Sequence, residues 1–183
     1  DVPSVGSANW SGGLMATRHL IELGHRRIAA ITGPEDMMCS LARVDGYRSA
    51  MNAAGLPIDP ALIRFGDFHP GGGESAGREL LALDDPPTAI FAGTALQAPG
   101  VTAAGSAAGL RVPDDLSVVG YDDIALSRWM SPQLTTVHQP LRRMGEEATR
   151  LALRLAEGAT PDTLRMDLAT HLVVRGSTAP FSP

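Results

Sequence analysis

Cysteine is almost absent. Cys39 stands alone, which excludes an internal disulfide and a cysteine-built zinc site and suits a reducing, cytoplasmic setting. Aromatic residues are scarce at 4 %, beside 44 % hydrophobic and 19 % charged residues, the profile of an α/β protein rich in Ala, Leu and Gly. Positive charge is not in excess either. A formal net charge of −5 argues against direct contact between this segment and nucleic acid, because phosphate binding needs a basic face. No apolar run has the length to span a bilayer, and nothing resembles a signal peptide. The five histidines (His19, His25, His69, His138, His171) include no His-x-x-x-His pair and no cysteine cluster, so no metal site is expected. Gly71-Gly-Gly-Glu-Ser lacks the lysine of a P-loop and reads as a turn into a helix. Asp84-Asp85 and Glu146-Glu147 are adjacent carboxylates that point different ways, hence solvated charges. With no nucleophile or acid–base constellation in the spacings, neither enzymatic activity nor a cofactor is expected.

What is present is strong punctuation. At 183 residues the chain has room for one domain with a substantial core, or one domain and pieces of another. Glycines at 24, 55, 109 and 158 fall where helices want left-handed C-caps. They close helices expected from an N-cap at Ser11, from about Leu41, from about Leu96, and after Pro140; a further helix is expected over 74–83. Between them lie short apolar runs at 28–32, 62–65, 88–92 and 117–121. Such alternation implies βαβ crossovers and a three-layer α/β/α fold with a mainly parallel sheet. His25, just past a C-cap, is expected to meet the helix dipole.

The most informative stretch runs from Gly109 to Pro140. A helix stop and a Pro113 turn lead into the unbroken apolar run 116–120, which delivers Tyr121, Asp122 and Asp123 at its end. A strand apolar on both sides is buried on both faces of a parallel sheet. Ligands sit beyond the carboxyl ends of such strands, so Asp122 is placed to read a polyhydroxylated or cationic ligand. Its plainer role is to cap the turn that follows.

This stretch resembles the small-molecule-sensing core of the LacI/GalR family of bacterial transcriptional regulators. The likeness extends through Ala16-Thr-Arg-His-Leu-Ile-Glu-Leu-Gly-His-Arg-Arg-Ile-Ala, Arg43-Val-Asp-Gly-Tyr-Arg-Ser-Ala-Met, Pro87-Thr-Ala-Ile-Phe-Ala-Gly, Gln139-Pro-Leu-Arg-Arg-Met-Gly and Leu172-Val-Val-Arg-Gly-Ser-Thr, in the family's order over nearly the whole chain. It implies a periplasmic-binding-protein-like core of two lobes joined by three crossing strands. On that reading residues 1–25 end the first lobe, 26–131 form a complete second lobe, 132–171 supply a crossover and a first-lobe helix, and 172–183 a returning strand and tail. The rest of the first lobe and the DNA-reading headpiece are then missing, which would leave an apolar surface uncovered.

The resemblance also implies ligand contacts. Arg43, in Arg-x-x-Gly-Tyr, would fork hydrogen bonds to vicinal hydroxyls; otherwise it is an exposed helix arginine. Phe68 would lie under a sugar face, or anchor its loop. Gln139 would both donate and accept, or pair with hinge backbone. Thr94 and Ser7 complete the implied set. Where the family commonly carries acidic or amide residues, this chain has Ala8, Thr94 and Ala95. The loss of acceptors favours a smaller, less hydroxylated or more apolar effector than an ordinary hexose. Trp10 and Trp129 either line the pocket or pack at a lobe or subunit contact, and the thiol of Cys39, four residues before Arg43, either reaches the cleft or fills a semi-buried gap. The function implied is effector sensing, with a carbohydrate or related small-molecule ligand, homodimerisation, operator DNA reached only through the headpiece, and no membrane. The alternative is a periplasmic-type sugar-binding protein of a transporter, which an upstream signal peptide would select and a helix-turn-helix exclude.

Overall fold

The computed structural model describes residues 2–160 and 163–182. Strand β1 (Ser4–Ser7) leads into α1 (Asn9–Glu22), and β2 (Ile28–Thr32) into α2 (Met38–Ala53). A 3-10 turn at Pro60–Leu62 precedes β3 (Ile63–Phe65), which is followed by α3 (Pro70–Leu81), β4 (Ala89–Ala92) and α4 (Gln97–Ala107). Then come β5 (Ser117–Asp122), the one-turn α5 (Leu126–Trp129), β6 (Thr135–His138), α6 (Leu141–Ala156), β7 (Arg165–Leu168) and β8 (His171–Val173).

Six strands form one sheet in the order β3-β2-β4-β5-β6-β8, parallel except for β8, which runs antiparallel to β6. Side chains alternate across it, as the pleat requires. Ile31, Ile90 and Val118 face Leu80 of α3 and Val101 of α4. Ile28, Phe91 and Val119 face Leu20 of α1 and Tyr47 of α2. Both faces are therefore covered and the middles of the central strands are apolar, which is the expected three-layer α/β/α arrangement. Chain order reverses between β2 and β4, and the carboxyl ends of the strands at such a switch point open onto a crevice.

Gly24, Gly55, Gly109 and Gly158 take φ of +95°, +66°, +78° and +85°, the left-handed caps that their positions predict. Three helix starts differ from the expected ones. The α1 cap is Ala8, without a side-chain hydrogen bond, rather than Ser11. Helix α2 begins at Met38 and not at Leu41. Helix α3 begins at Pro70, so Gly71-Gly-Gly lies inside the helix. There a Cβ on Gly73 would overlap the backbone of Gln97, so close approach of α3 and α4, not turning, is what this glycine serves.

Packing also departs from the expected division at residue 25. Ala16 and Leu20 of α1 are fully buried against the six-stranded sheet. Apolar spacing shows that a helix has a buried face, not which sheet it covers. The segment after β8 returns to the same unit, with Val118 N–H bonded to the Ser177 carbonyl (2.8 Å) and Phe181 N–H to that of Leu23 (2.7 Å). His25 turns inward instead of toward a dipole. It is buried, and bonds Thr88 Oγ1 (2.9 Å) and Ser117 Oγ (3.0 Å).

Standing apart are β1 and β7, paired in parallel, with α6 beside them. No residue of α6 is buried, and its Leu153 is 62 % exposed. Its polar side carries the pairs Arg142–Glu146 (3.0 Å) and Glu147–Arg150 (2.7 Å).

Candidate functional site

The carboxyl ends of β2, β4, β5 and β6 meet at one place, and Arg43 of α2 reaches into it. Helices α1 and α2 approach on glycine. A Cβ on Gly13 would overlap the Arg43 carbonyl, and one on Gly46 the Trp10 carbonyl. This close crossing brings the Arg43 guanidinium over the face of Tyr121, with Cζ 3.8 Å from the ring centroid. Gly12 leaves the space that the hydroxyl end of Tyr121 occupies. Arg43 is only 5 % exposed, so the alternative of an exposed helix arginine is set aside. Its Nε donates to Asn9 Oδ1 (2.9 Å) and its Nη1 to the Gly93 carbonyl (2.5 Å).

Around that arginine runs a nearly closed circuit of polar contacts. Ser7 Oγ donates to Gln139 Oε1. Gln139 Nε2 donates to Asp122 Oδ1 (2.5 Å). Asp122 Oδ1 lies 3.8 Å from Arg43 Nη2. Arg43 holds Asn9, and Asn9 Nδ2 donates to the Ser7 carbonyl (3.1 Å). Every link is a hydrogen bond except the one between Arg43 and Asp122, which is too long for one. Atoms 3.8 Å apart are close enough for one hydroxyl to be shared between them, accepting from the guanidinium and donating to the carboxylate.

Asp122 is held in the left-handed region at φ +88°, and Asp123 beside it at +51°, conformations that cost a non-glycine residue about 1–3 kcal/mol each. Asp123 accepts from Arg175 Nη2 (2.6 Å) and pairs with His138 Nδ1 (3.0 Å), which ties the turn to β6 and to the segment after β8. The Asp122 carboxyl is pushed above its usual range by burial, against the opposing pull of Arg43, Gln139 and the Ala95 N–H. Burial raises the Tyr121 phenol to about 12, so a neutral ring faces the guanidinium.

Of the residues singled out in the sequence, Arg43, Asp122, Gln139 and Ser7 lie in the circuit. Phe68, at φ +63°, packs its ring on Gly33, 5.7 Å from Arg43 Cζ. Thr94 stands one step behind. Its hydroxyl donates to the Phe68 carbonyl (3.2 Å) and accepts from Gln97 N–H (3.1 Å), so it fixes the Phe68 loop. Ala95 is fully buried, and its place in the core explains its lack of a polar group. Asn9 and Tyr121 were missed as contact residues; Tyr121 stood beside Asp122 in the sequence, but its partner depends on how α1 and α2 cross.

Two hollows flank the circuit. One of about 560 Å³ is bordered by Asp122, His138, Gln139 and the start of α6. The other, about 300 Å³, is bordered by Ser7, Ala8, Asn9, Trp10, Met38 and Cys39, with Arg165 and Asp167 of β7 at its edge. Trp129 borders neither hollow and is 83 % exposed. Among the described residues there is no group of three or more His, Cys, Asp or Glu placed to hold a metal ion, and no helix is long and apolar enough to cross a membrane.

Comparison with known proteins agrees with this fold. Residues 17–178 match the periplasmic binding protein-like domain family. The chain is 44 % identical over 169 residues to the HTH-type transcriptional regulator CelR of Thermobifida fusca, covering 92 % of this chain and 50 % of that protein. It is 44 % identical over 166 residues to the ribose operon repressor of Escherichia coli (strain K12), covering 91 % and 50 %. A solved transcriptional regulator CelR–cellobiose complex superposes with a TM-score of 0.93 at 43 % identity, covering 96 % of this chain and 54 % of that one. The chain spans about half the length of the curated relatives it matches. Fold and likeness together place it: the chain belongs to the LacI/GalR family of transcriptional regulators, in the periplasmic-binding-protein-like effector-binding core.

Proposed function

We propose that this segment senses a sugar for a LacI-type repressor, and that Arg43 and Asp122 read one hydroxyl pair of the effector. The observation that carries the reading is the 3.8 Å gap between them, the single open link in an otherwise hydrogen-bonded circuit. The six-stranded unit acts as one lobe; β1, β7 and α6 belong to the other, whose apolar partner surface the exposed face of α6 awaits. An effector changes the angle between lobes only by its difference in affinity for the two arrangements. In a cytoplasmic homodimer that angle governs the placing of two DNA-reading headpieces carried elsewhere in the protein. The segment itself performs no chemistry; its ligand leaves unchanged.

Calorimetry on the full-length protein with ribose, glucose and cellobiose tests this, alongside operator release. Arg43→Ala is expected to weaken sugar binding by about 2–5 kcal/mol, the usual cost of removing one partner of a buried, hydrogen-bonded charge pair. Arg43→Lys should recover only part of it, because an ammonium lacks the fork. Sugar binding and operator release that survive Arg43→Ala unchanged would defeat the assignment.

A further inference from the structure

The connections between the six-stranded sheet and the β1–β7 pair with α6 leave and return side by side. Strand β6 ends at His138 before the chain passes into α6, and β8 begins at His171 after the chain has come back from β7. These two histidines are direct partners in the antiparallel β6–β8 register, so their side chains rise on the same face of the sheet. Their ring centroids are 4.8 Å apart, with the planes tilted by 38°. His138 Nδ1 lies 3.0 Å from Asp123 Oδ2, and Arg175 Nη2 donates to the other oxygen of that carboxylate (2.6 Å). An ionised carboxylate only accepts, so Nδ1 carries the proton and Nε2 keeps its lone pair. Among the described residues no hydrogen bond reaches His138 Nε2 or either ring nitrogen of His171. Both rings are open to solvent, with 36 % of the His138 side chain exposed and His171 exposed as well.

We infer that His138 and His171 together form a site for one divalent transition-metal ion of the kind imidazole prefers, zinc or copper. The ring separation carries the inference. An imidazole nitrogen binds such an ion at about 2.0–2.1 Å, which sets each ring centroid roughly 3.2 Å from the metal. Two rings at right-angle or tetrahedral spacing then stand about 4.5–5.2 Å apart, a range that includes the observed 4.8 Å. Asp123 supplies the outer carboxylate that orients a metal-binding imidazole and fixes its tautomer. Two protein donors leave the remaining positions to water, so the site is open and exchangeable rather than a closed structural one. The hollow of about 560 Å³ beside His138, bordered by Asp122 and Glu146 as well as Arg142 and Arg143, has room for those waters. A bound ion pins β8 to β6 where the chain leaves and re-enters the sheet. Spacing along the sequence could not show this pair, because antiparallel pairing, not local spacing, brings the two rings together.

Zinc chloride and copper sulfate, each titrated without sugar into the tag-free full-length protein, test the site. Calorimetry should record one equivalent of zinc whose affinity falls at least tenfold in His138→Gln and in His171→Gln alike. Magnesium should give no such equivalent, because it demands oxygen ligands. The electron paramagnetic resonance spectrum of the copper-loaded protein should show coupling to two imidazole nitrogens, and to one fewer in either variant. Zinc should also raise the urea midpoint of the parent protein and not that of the double variant, since the assembled pair exists only in the folded chain. Zinc affinity unchanged in either single variant, or no equivalent of zinc taken up at all, overturns the site. A copper spectrum of the parent protein without two coupled nitrogens overturns it independently of how the variants fold.

Discussion

Asp122 carries a conflict that makes it measurable. It must be ionised to accept a hydroxyl proton, yet burial favours its neutral form and raises its pKa above the ordinary 3.8. A carboxyl whose folded-state pKa is raised holds its proton more firmly when folded, so acidification through that value relieves the fold. The same protonation removes the acceptor from the site. Sugar affinity is therefore expected to fall as the pH is lowered through the acid range, beginning above the pH at which an ordinary aspartate gains its proton. Asp122→Asn should bind weakly with a flat profile over that range, as calorimetry at each pH would record; an equally steep profile in Asp122→Asn would assign the titration elsewhere. Arg43, Asp122, Gln139 and Ser7 were legible as candidate site residues, and as neighbours in one polar circuit, because a family motif fixes residue types at strand ends and early in helices. Asn9 and Tyr121 were not, since nothing in their spacing tells which guanidinium they will meet. Thr94 was legible only as a polar residue near the cleft; that its hydroxyl is spent on the Phe68 loop depends on where that loop returns.

At the scale of elements, glycine separates two kinds of helix. Gly13 of α1 is buried where its missing Cβ would overlap the Arg43 carbonyl, whereas Gly145 of α6 has no atom within 4 Å of that position. Adding a methyl at an open mid-helix site stabilises by roughly 0.5–1 kcal/mol, by trimming the freedom of the unfolded chain. Adding one against unyielding backbone costs about 1–3 kcal/mol. Urea unfolding should therefore shift in opposite directions, Gly145→Ala to a higher midpoint and Gly13→Ala to a lower one. Gly13→Ala should also weaken sugar binding, because the crossing it disturbs carries Arg43. Both variants moving the midpoint the same way would mean that the α1–α2 contact has slack that its geometry denies. Helix ends were the most legible features of the chain, since a left-handed cap demands glycine. Helix starts were less so. Ala8 and Met37 cap α1 and α2 without a side-chain bond, which leaves no signal to read, and the glycines of α3 look like a turn until α4 is placed beside them.

Over the whole molecule the sheet was legible and its attachments were not. Runs such as Ile28–Thr32 announce themselves because both faces are apolar. By contrast β7, Arg-Met-Asp-Leu, is mostly exposed, short and mixed, and β1 has only Ser7 buried among its four residues; neither carries the periodicity of a buried strand. The return of the final segment across β5 and α1 was likewise invisible, because polar residues hold it. Ser177 is buried and donates to the Val118 carbonyl (2.5 Å). His19 Nε2 bonds Thr178 Oγ1 (3.0 Å), His25 Nε2 lies 3.2 Å from the Ala179 carbonyl, and Phe181 packs its ring 5.7 Å from that of His25. Burial lowers the pKa of both histidines from 6.5, with Glu22 opposing the shift at His19 and the Ala179 carbonyl opposing it at His25. Well above pH 6.5 both are neutral in the folded and unfolded chain, and stability does not depend on them. Below it the unfolded chain takes up protons that the folded one resists, so stability falls as pH falls, with a slope of at most about 1.4 kcal/mol per pH unit for each proton. Urea midpoints measured between pH 7 and 5 should decline, and a His19→Gln, His25→Gln double variant should flatten that decline even if it starts from a lower midpoint. A decline equally steep in the double variant would move the acid sensitivity away from these two histidines and onto the other titrating groups of the chain.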